Sequence, residues 1–392
     1  MQIYKNYMPA AESVCLMYKS MPISQKLLNQ RSSIFLVSLL MACMLLLSAC
    51  SGDGSAKASN VSAKSAASTL IPTPTVNPTL QQQGSMQLET FQQWITLMKQ
   101  YGGSVSKYQQ QYTGDLQTLN AATSNTTYQA ALKTLNGHVS AIQLPALQAE
   151  ATGLQQKLTQ QANNWANKHT YYDSYDGVTY NLGYEYQAIV NYPTQGLIDS
   201  SQTVADYQYA IGQLNNWLAN FQAYQKDFSD KTPYNQVHQT DTQLMQKYGD
   251  TSGKVIVVSL AEQAMRVYQD GKLVNSFQVV TGMPNHPSLP GTWWIETRQT
   301  DIKFTSGKQP GQEGYYPPTP IAYALLYHSG GYFIHEAWWR TMYGPDMQFP
   351  HLDPGGTSFA YQGSHGCVNM STADVQWVYN FATVDTTKLI IY

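Results

Sequence analysis

Three rhythms of apolar and polar residues divide the chain. The first is an unbroken apolar run at 34–49, "IFLVSLLMACMLLLSA", preceded by Lys26 and Arg31. A basic lead and a short apolar core have the form of a secretion signal, whereas a membrane-spanning helix wants about 20 apolar residues. Residues 50–85 then turn small, polar and proline-punctuated, which predicts a disordered tether. The second rhythm repeats at three and four. Leu88, Phe91, Ile95 and Met98 share one helical face, and Gly102 and Gly103 end it. Leu147, Ala151, Leu154 and Leu158 mark another helix, and Val204, Tyr207, Ile211, Leu214, Leu218 and Phe221 a third. These predict an all-α bundle over 86–250. Within it, "TYYDSYDGVTYNLGYEYQ" is too rich in Gly and Tyr to assign.

At Lys254 the period falls to two. "KVIVVSL", "AMRVYQ" and "KLVNSFQVV" read as strands, with "QDGK" as a hairpin turn. "GTWWIETRQ", "GYFIHEAWW" and "TKLIIY" are further strand candidates. "STADVQWVYNFA" reads as a short helix capped by Ser371 or Thr372. Residues 252–392 are therefore expected to be mainly β with short helices. The fold class is α+β multidomain, a helical bundle followed by a β-rich unit.

Composition narrows the setting. Charged residues make up 12% of the chain and the formal charge is −2, so nothing marks a nucleic-acid surface. The apolar run ends "LSAC" and changes abruptly to "SGDGS". This resembles a bacterial lipobox, which implies cleavage of a signal at 1–49 and lipidation of Cys50. Residues 1–20 read as an upstream extension before Met21. The folded part is then expected outside the cytoplasm, lipid-anchored to the cell membrane. Without residues 1–49 the chain has 18 basic and 23 acidic residues, which argues further against polyanion binding. An uncleaved anchor helix is the competing reading. Of four cysteines, Cys15 and Cys43 leave with the signal and Cys50 is consumed, so Cys367 remains alone in an oxidising compartment. Such a cysteine is an intermolecular partner or a reactive thiol.

Cys367 sits in "GSHGCVNMS", two residues after His365 and shortly before the predicted helix. A nearby imidazole or helix N-terminus lowers a thiol pKa and makes a nucleophile. His335 lies on a predicted strand in "FIHEAW". Gly366 admits close approach of a substrate carbonyl, and backbone amides can turn inward there as an oxyanion hole. With His335 followed by Ser364, His365, Gly366, Cys367, Val368 and Asn369, the sequence resembles the L,D-transpeptidases with a YkuD-type catalytic domain. The opening hairpin and the "TG" and Pro-Gly turns after it agree, and the resemblance covers 252–392 and not the helical half.

The resemblance implies that Cys367 attacks the third residue of a peptidoglycan stem tetrapeptide and releases D-alanine. The acyl group then passes from the thioester to an amine, making 3→3 crosslinks. It implies that His335 takes the thiol proton, oriented by a neighbouring backbone carbonyl, so the Glu336 side chain need not take part. Amides around Gly366 and Cys367 would hold the oxyanion, and Ser364, His365 and Asn369 would shape the loop and hold substrate. No metal or other cofactor is implied, and carbapenem inhibition is.

One departure from the family is the 28 residues between His335 and Ser364, a gap longer than usual. The extra stretch is expected to form a substrate-side lid. It brings His351 in as a rival base, set below His335 because His351 sits in a turn-rich loop. Zinc held by His335, His365 and Cys367 is a weaker reading. His286 and His328 either flank the cleft or are surface or packed residues. The Tyr and Trp of the helical half fit core packing better than a sugar groove. Water as acceptor would make an L,D-carboxypeptidase, and a protein amine would attach protein to the wall. A wall-binding scaffold with a vestigial catalytic unit is the alternative from another class.

Overall fold

The computed structural model describes residues 76–392, apart from 313, 314 and 358. The signal, the lipobox and Cys50 lie outside the described residues. Helix α1, Pro78–Gln100, begins inside the stretch expected as a tether. The Asn77 side chain caps it by accepting from the Thr79 amide at 2.8 Å, and Pro78 occupies the first turn, where a missing N–H costs nothing. Helices α2, Ser106–Ala121, and α3, Asn125–Ala166, follow. Ser124 and Thr127 close a reciprocal cap at the start of α3. Val76, Phe91, Ile95, Leu119, Leu135 and Ile142 bury together as a first core. That core ends at Ala146, one residue after Pro145, the proline inside α3.

From Leu147 onward the same helix belongs to a second core. The unassigned Tyr-rich segment resolves into a hairpin of β1, Thr170–Tyr172, and β2, Thr179–Asn181, and then into helix α4, Tyr184–Asn191. Helices α5, Pro193–Asp199, α6, Val204–Asp227, and α7, Gln239–Tyr248, complete the helical half. Among the described residues no helix is long and apolar enough to cross a membrane.

Beyond the β1–β2 hairpin, nine strands among the described residues form two sheets. The first has the order β5-β4-β3-β11-β6, with β3 Lys254–Ser259, β4 Ala264–Gln269, β5 Lys272–Gln278, β6 Gly291–Trp294 and β11 Lys388–Ile391. Strand β3 runs parallel to β11 and antiparallel to β4, and its Val255–Val258 run is buried throughout, as a central strand covered on both faces requires. The second sheet has the order β10-β9-β8-β7, with β7 Thr297–Phe304, β8 Thr319–His328, β9 Tyr332–Glu336 and β10 Val368–Met370. The single strand expected over "GTWWIETRQ" is thus two strands in different sheets. Strand β8 was not foreseen. Helix α8, Thr372–Phe381, is capped by Ser371, whose hydroxyl accepts from the Asp374 amide.

The second core does not stop near residue 250. Leu154, Leu158, Leu214, Phe221 and Met245 pack in one cluster with Val257, Val267, Leu325, Ile334 and Ile390. Polar bonds stitch the same join. Trp217 Nε1 donates to the Pro290 carbonyl at 3.0 Å, and Asn220 Nδ2 to that of Ile391 at 2.9 Å. Arg266, fully buried on β4, is held by Asp241 of α7 and by Glu262.

Candidate active site

The site is built where β10 runs parallel to β9, with Asn369 opposite His335. Side chains two apart along a strand share a face. Carried one residue back from β10, that alternation puts Cys367 on the face that Asn369 and His335 occupy. Strand β8 backs the arrangement, pairing Ala324 with His335. The Glu336 carboxylate accepts the amides of Ala322 and Tyr323, which pins β9 to β8 and keeps that carboxylate off the imidazole.

His335 is 4% exposed. Its Nδ1 lies 2.6 Å from the Glu336 carbonyl oxygen. A carbonyl can only accept, so Nδ1 carries the proton and Nε2 presents a lone pair. Asn369 Nδ2 donates to that Nε2 at 3.0 Å. Burial pushes the His335 pKa down to about 4, and the nearby Arg340 guanidinium adds to the effect, while the Glu336 carbonyl opposes it. The imidazole is therefore neutral at pH 7.

The Cys367 thiol donates to the Gly331 carbonyl across 3.6 Å. The side chain is only half-buried, yet the protein around the sulfur pushes its pKa up to about 11, and the Phe333 amide offsets this only in part. The expectation that a histidine or helix terminus lowers this pKa is overturned. No imidazolium stands by to stabilise a thiolate, and the first turn of α8 is already capped by Ser371. The hydroxyls of Tyr316 and Tyr327 stay protonated beside the sulfur, their pKa values raised by burial first and then by the negative charge Cys367 would carry as a thiolate.

The loop 364–367 is tightly held. Ser364 Oγ donates to the Cys367 carbonyl at 2.5 Å and accepts the Gly366 amide at 3.1 Å. Ser288 Oγ donates to the Gly366 carbonyl at 2.8 Å. Gly366 adopts φ +107°, and a Cβ there would lie 2.9 Å from the Tyr332 ring, so two independent constraints select glycine. The Gly366 amide is committed to Ser364. That leaves the Cys367 amide as the remaining oxyanion donor of the expected pair. His365 is exposed, and its ring meets His286 at 4.7 Å and Tyr316 at 5.6 Å. Although the residue as a whole is exposed, the protein packed around its ring, and then His286, push its pKa down to about 4. His328 is ringed by Trp293 and Tyr332.

The hydrogen bonds of His351 run elsewhere. Its Nδ1 donates to the Phe349 carbonyl and its amide to that of Tyr361. The long gap is irregular chain, folded on Asp353, which accepts from the Thr341, Met342 and Gly355 amides. Phe349 at its centre is fully buried against Tyr171 and Tyr180 of the β1–β2 hairpin, with ring centroids 4.6 and 5.2 Å away. Reading the sequence did not single out Tyr316, Tyr327, Tyr332 or Ser288. The chain has 29 tyrosines, and nothing in their spacing separates these from the rest.

Among the described residues, His335, His365 and Cys367 do not bring three ligand atoms together. The group that does is Asp227, Asp230 and His238, in the helical half. Its atoms are already engaged: Asp227 accepts from Thr240 and Ser259, and His238 Nδ1 lies 2.9 Å from Asp227.

Residues 253–391 match the family model of the YkuD L,D-transpeptidase catalytic domain. Solved structures similar to this chain include an L,D-transpeptidase of Enterococcus faecium, at 23% identity and TM-score 0.29, over 36% of this chain and 50% of that one. An L,D-transpeptidase from Mycobacterium smegmatis aligns at 19% identity and TM-score 0.29, over 36% and 59%. L,D-transpeptidase 3 from Mycobacterium tuberculosis, in complex with a faropenem-derived adduct, aligns at 21% identity and TM-score 0.28, over 36% and 60%. The chain thus spans half to three fifths of the length of these structures. A comparison with curated proteins found no match.

Proposed function

We propose, from the match of residues 253–391 to the YkuD L,D-transpeptidase catalytic domain, that the protein is a peptidoglycan L,D-transpeptidase with Cys367 as nucleophile and His335 as base. The observation that carries this reading is the shared face of Cys367, Asn369 and His335, with a neutral imidazole whose Nε2 is an acceptor. A thiol near pKa 11 and an imidazole near 4 do not exchange a proton at rest. The proton therefore moves as the sulfur attacks, which is general-base catalysis rather than use of a standing ion pair. For Nε2 to receive it, the Asn369 amide must give way.

Attack on the third stem residue forms the C–S bond, and the proton passes through Nε2 to the departing D-alanine nitrogen. The thioester is then opened by an amine, whose proton Nε2 accepts before returning it to sulfur. The Cys367 amide and the Tyr316 hydroxyl are the donors we assign to the oxyanion. Trp338, Met342, Leu352, Phe359 and Tyr361 expose apolar surface on the insertion after His335, and we assign them to the peptide side of the site as a lid. A tether through Cys50 to the cell membrane belongs to the same proposal.

The test is covalent labelling. The full chain incubated with a carbapenem should gain the mass of one inhibitor, mapped to Cys367, and Cys367→Ala should gain none. An unlabelled wild-type protein would turn the reading to a non-catalytic wall scaffold. With muropeptides as substrate, crosslinked dimer identifies the transpeptidase, and shortened monomer alone identifies a carboxypeptidase.

A further inference from the structure

A cavity of about 270 Å³ lies apart from Cys367, between the β1–β2 hairpin, the start of α4, the end of α6 and the insertion that follows β9. Its walls include the rings of Tyr171, Tyr224 and Phe228, and its polar lining is Glu185, Asp346 and Gln348. None of the lining residues is a lysine or arginine. Glu185 is 2% exposed, and its Oε2 makes no hydrogen bond. Gln348, 6% exposed, holds its Oε1 equally without a partner. Buried carboxylate oxygens without donors are costly and uncommon, so two unpartnered acceptors on one cavity call for a donor from outside the chain. Aromatic faces beside acceptors favour a cation with an organic shape, since rings attract ammonium groups, whereas a hard metal ion wants about six or more oxygens around it.

We propose that this junction cavity is a binding site for a small organic ammonium ion, held by Glu185 and Gln348 and enclosed by Tyr171, Tyr224 and Phe228. The proposal is independent of the transpeptidase reading. Two features support it. Asp346, a second carboxylate on the lining, has its pKa raised by burial and then by the further negative charge of Asp173, so the surroundings carry surplus acidity. Burial pushes the Glu185 pKa up to about 8, with the Tyr184 hydroxyl and the local backbone only partly offsetting it. Glu185 therefore holds a proton near neutral pH that a bound cation displaces. The other titratable groups on the cavity are Tyr171, Tyr184, Tyr224 and Asp346. All three tyrosines are shifted upward by burial and stay neutral across the range tested.

The experiment titrates the full chain with methylammonium chloride, against sodium chloride at equal ionic strength and against calcium chloride, followed by thermal shift and calorimetry. Methylammonium should raise the melting temperature saturably beyond the sodium control. Its affinity should rise about tenfold from pH 7 to pH 9, as the ionised fraction of a group near pKa 8 does, with a proton released at pH 7. Glu185→Gln should abolish both effects. Ala261→Leu, which fills the cavity and leaves the charge alone, should weaken binding at least tenfold. Equal shifts with sodium, stronger binding of calcium, or binding unchanged in both variants would each overturn the proposal and leave a cavity of ordered water.

Discussion

At His335 the fold removes a proton that the free side chain would carry in mild acid. Between pH 6.5 and about 4 the unfolded chain binds a proton there and the folded chain does not. Stability therefore rises with pH across that window and is lost as pH falls, by about 3 kcal/mol once both pKa values are passed. Urea midpoints of wild type and His335→Gln at pH 7 and pH 4 should show the wild type losing more, and parallel losses would refute the shift. The same shift predicts that carbapenem acylation of Cys367 keeps its rate from pH 7 to 5.5, where a base of pKa 6.5 would have lost most of its neutral form. The rate should stay level up to pH 9, because the thiol titrates near 11 and is still protonated there, so its proton leaves only as the sulfur attacks. Gly366→Ala meets both a positive φ and the Tyr332 ring. We expect a cost of about 1–3 kcal/mol and acylation at least tenfold slower, read from the same denaturation and mass measurements. The motif residues were legible because Ser364–Asn369 is contiguous. Their protonation states were not, because burial is a property of what packs around them.

Among the elements, the hairpin of β1 and β2 has the largest consequence for its length. It carries the rings that bury Phe349, so a piece of the helical half holds the insertion beside the site. Phe349→Ala should cost about 3 kcal/mol and make the segment 341–361 the first site of limited proteolysis. Cleavage elsewhere first would show that the hairpin does not brace it. Long amphipathic stripes such as Val204–Phe221 were readable because burying one face imposes a period. The hairpin was not, since three-residue strands are too short to show alternation. Strand β8 escaped notice because "TPIAYALLYH" is apolar without a strict period. The start of α1 at Pro78 was missed because a proline-rich composition reads as a linker, while a proline in a first helical turn is also a favourable start.

At the scale of the whole molecule the boundary near residue 250 divides the sequence but not the core. Leu214, Phe221 and Met245 are packed with the strands of the β-rich unit. Arg266 depends on Asp241, and Tyr392 OH donates to the same carboxylate. A chain of residues 252–392 would leave that arginine with Glu262 but without Asp241, and would expose half a core. It should be insoluble or unfolded by circular dichroism, whereas residues 147–392 should fold; a folded 252–392 fragment would refute the shared core. In the same network His238 runs opposite to His335. Burial opposes its charge, but the Asp227 hydrogen bond and the charges of Glu262 and Asp227 outweigh burial and the repulsion of Arg266, and raise its pKa. Its contribution is complete below pH 6.5 and is lost as pH rises through the folded value, so His238→Gln should flatten stability on the alkaline side. The sequence by itself determined the order of helical and β-rich parts, the thiol beside its glycine, and the strand histidine, because periodicity and contiguous motifs are local. The tertiary structure alone decided that the thiol is protonated and the imidazole neutral, that Asn369 occupies Nε2, and that two halves share one core. Those depend on desolvation and on contacts between residues far apart in the chain, which only folding brings together.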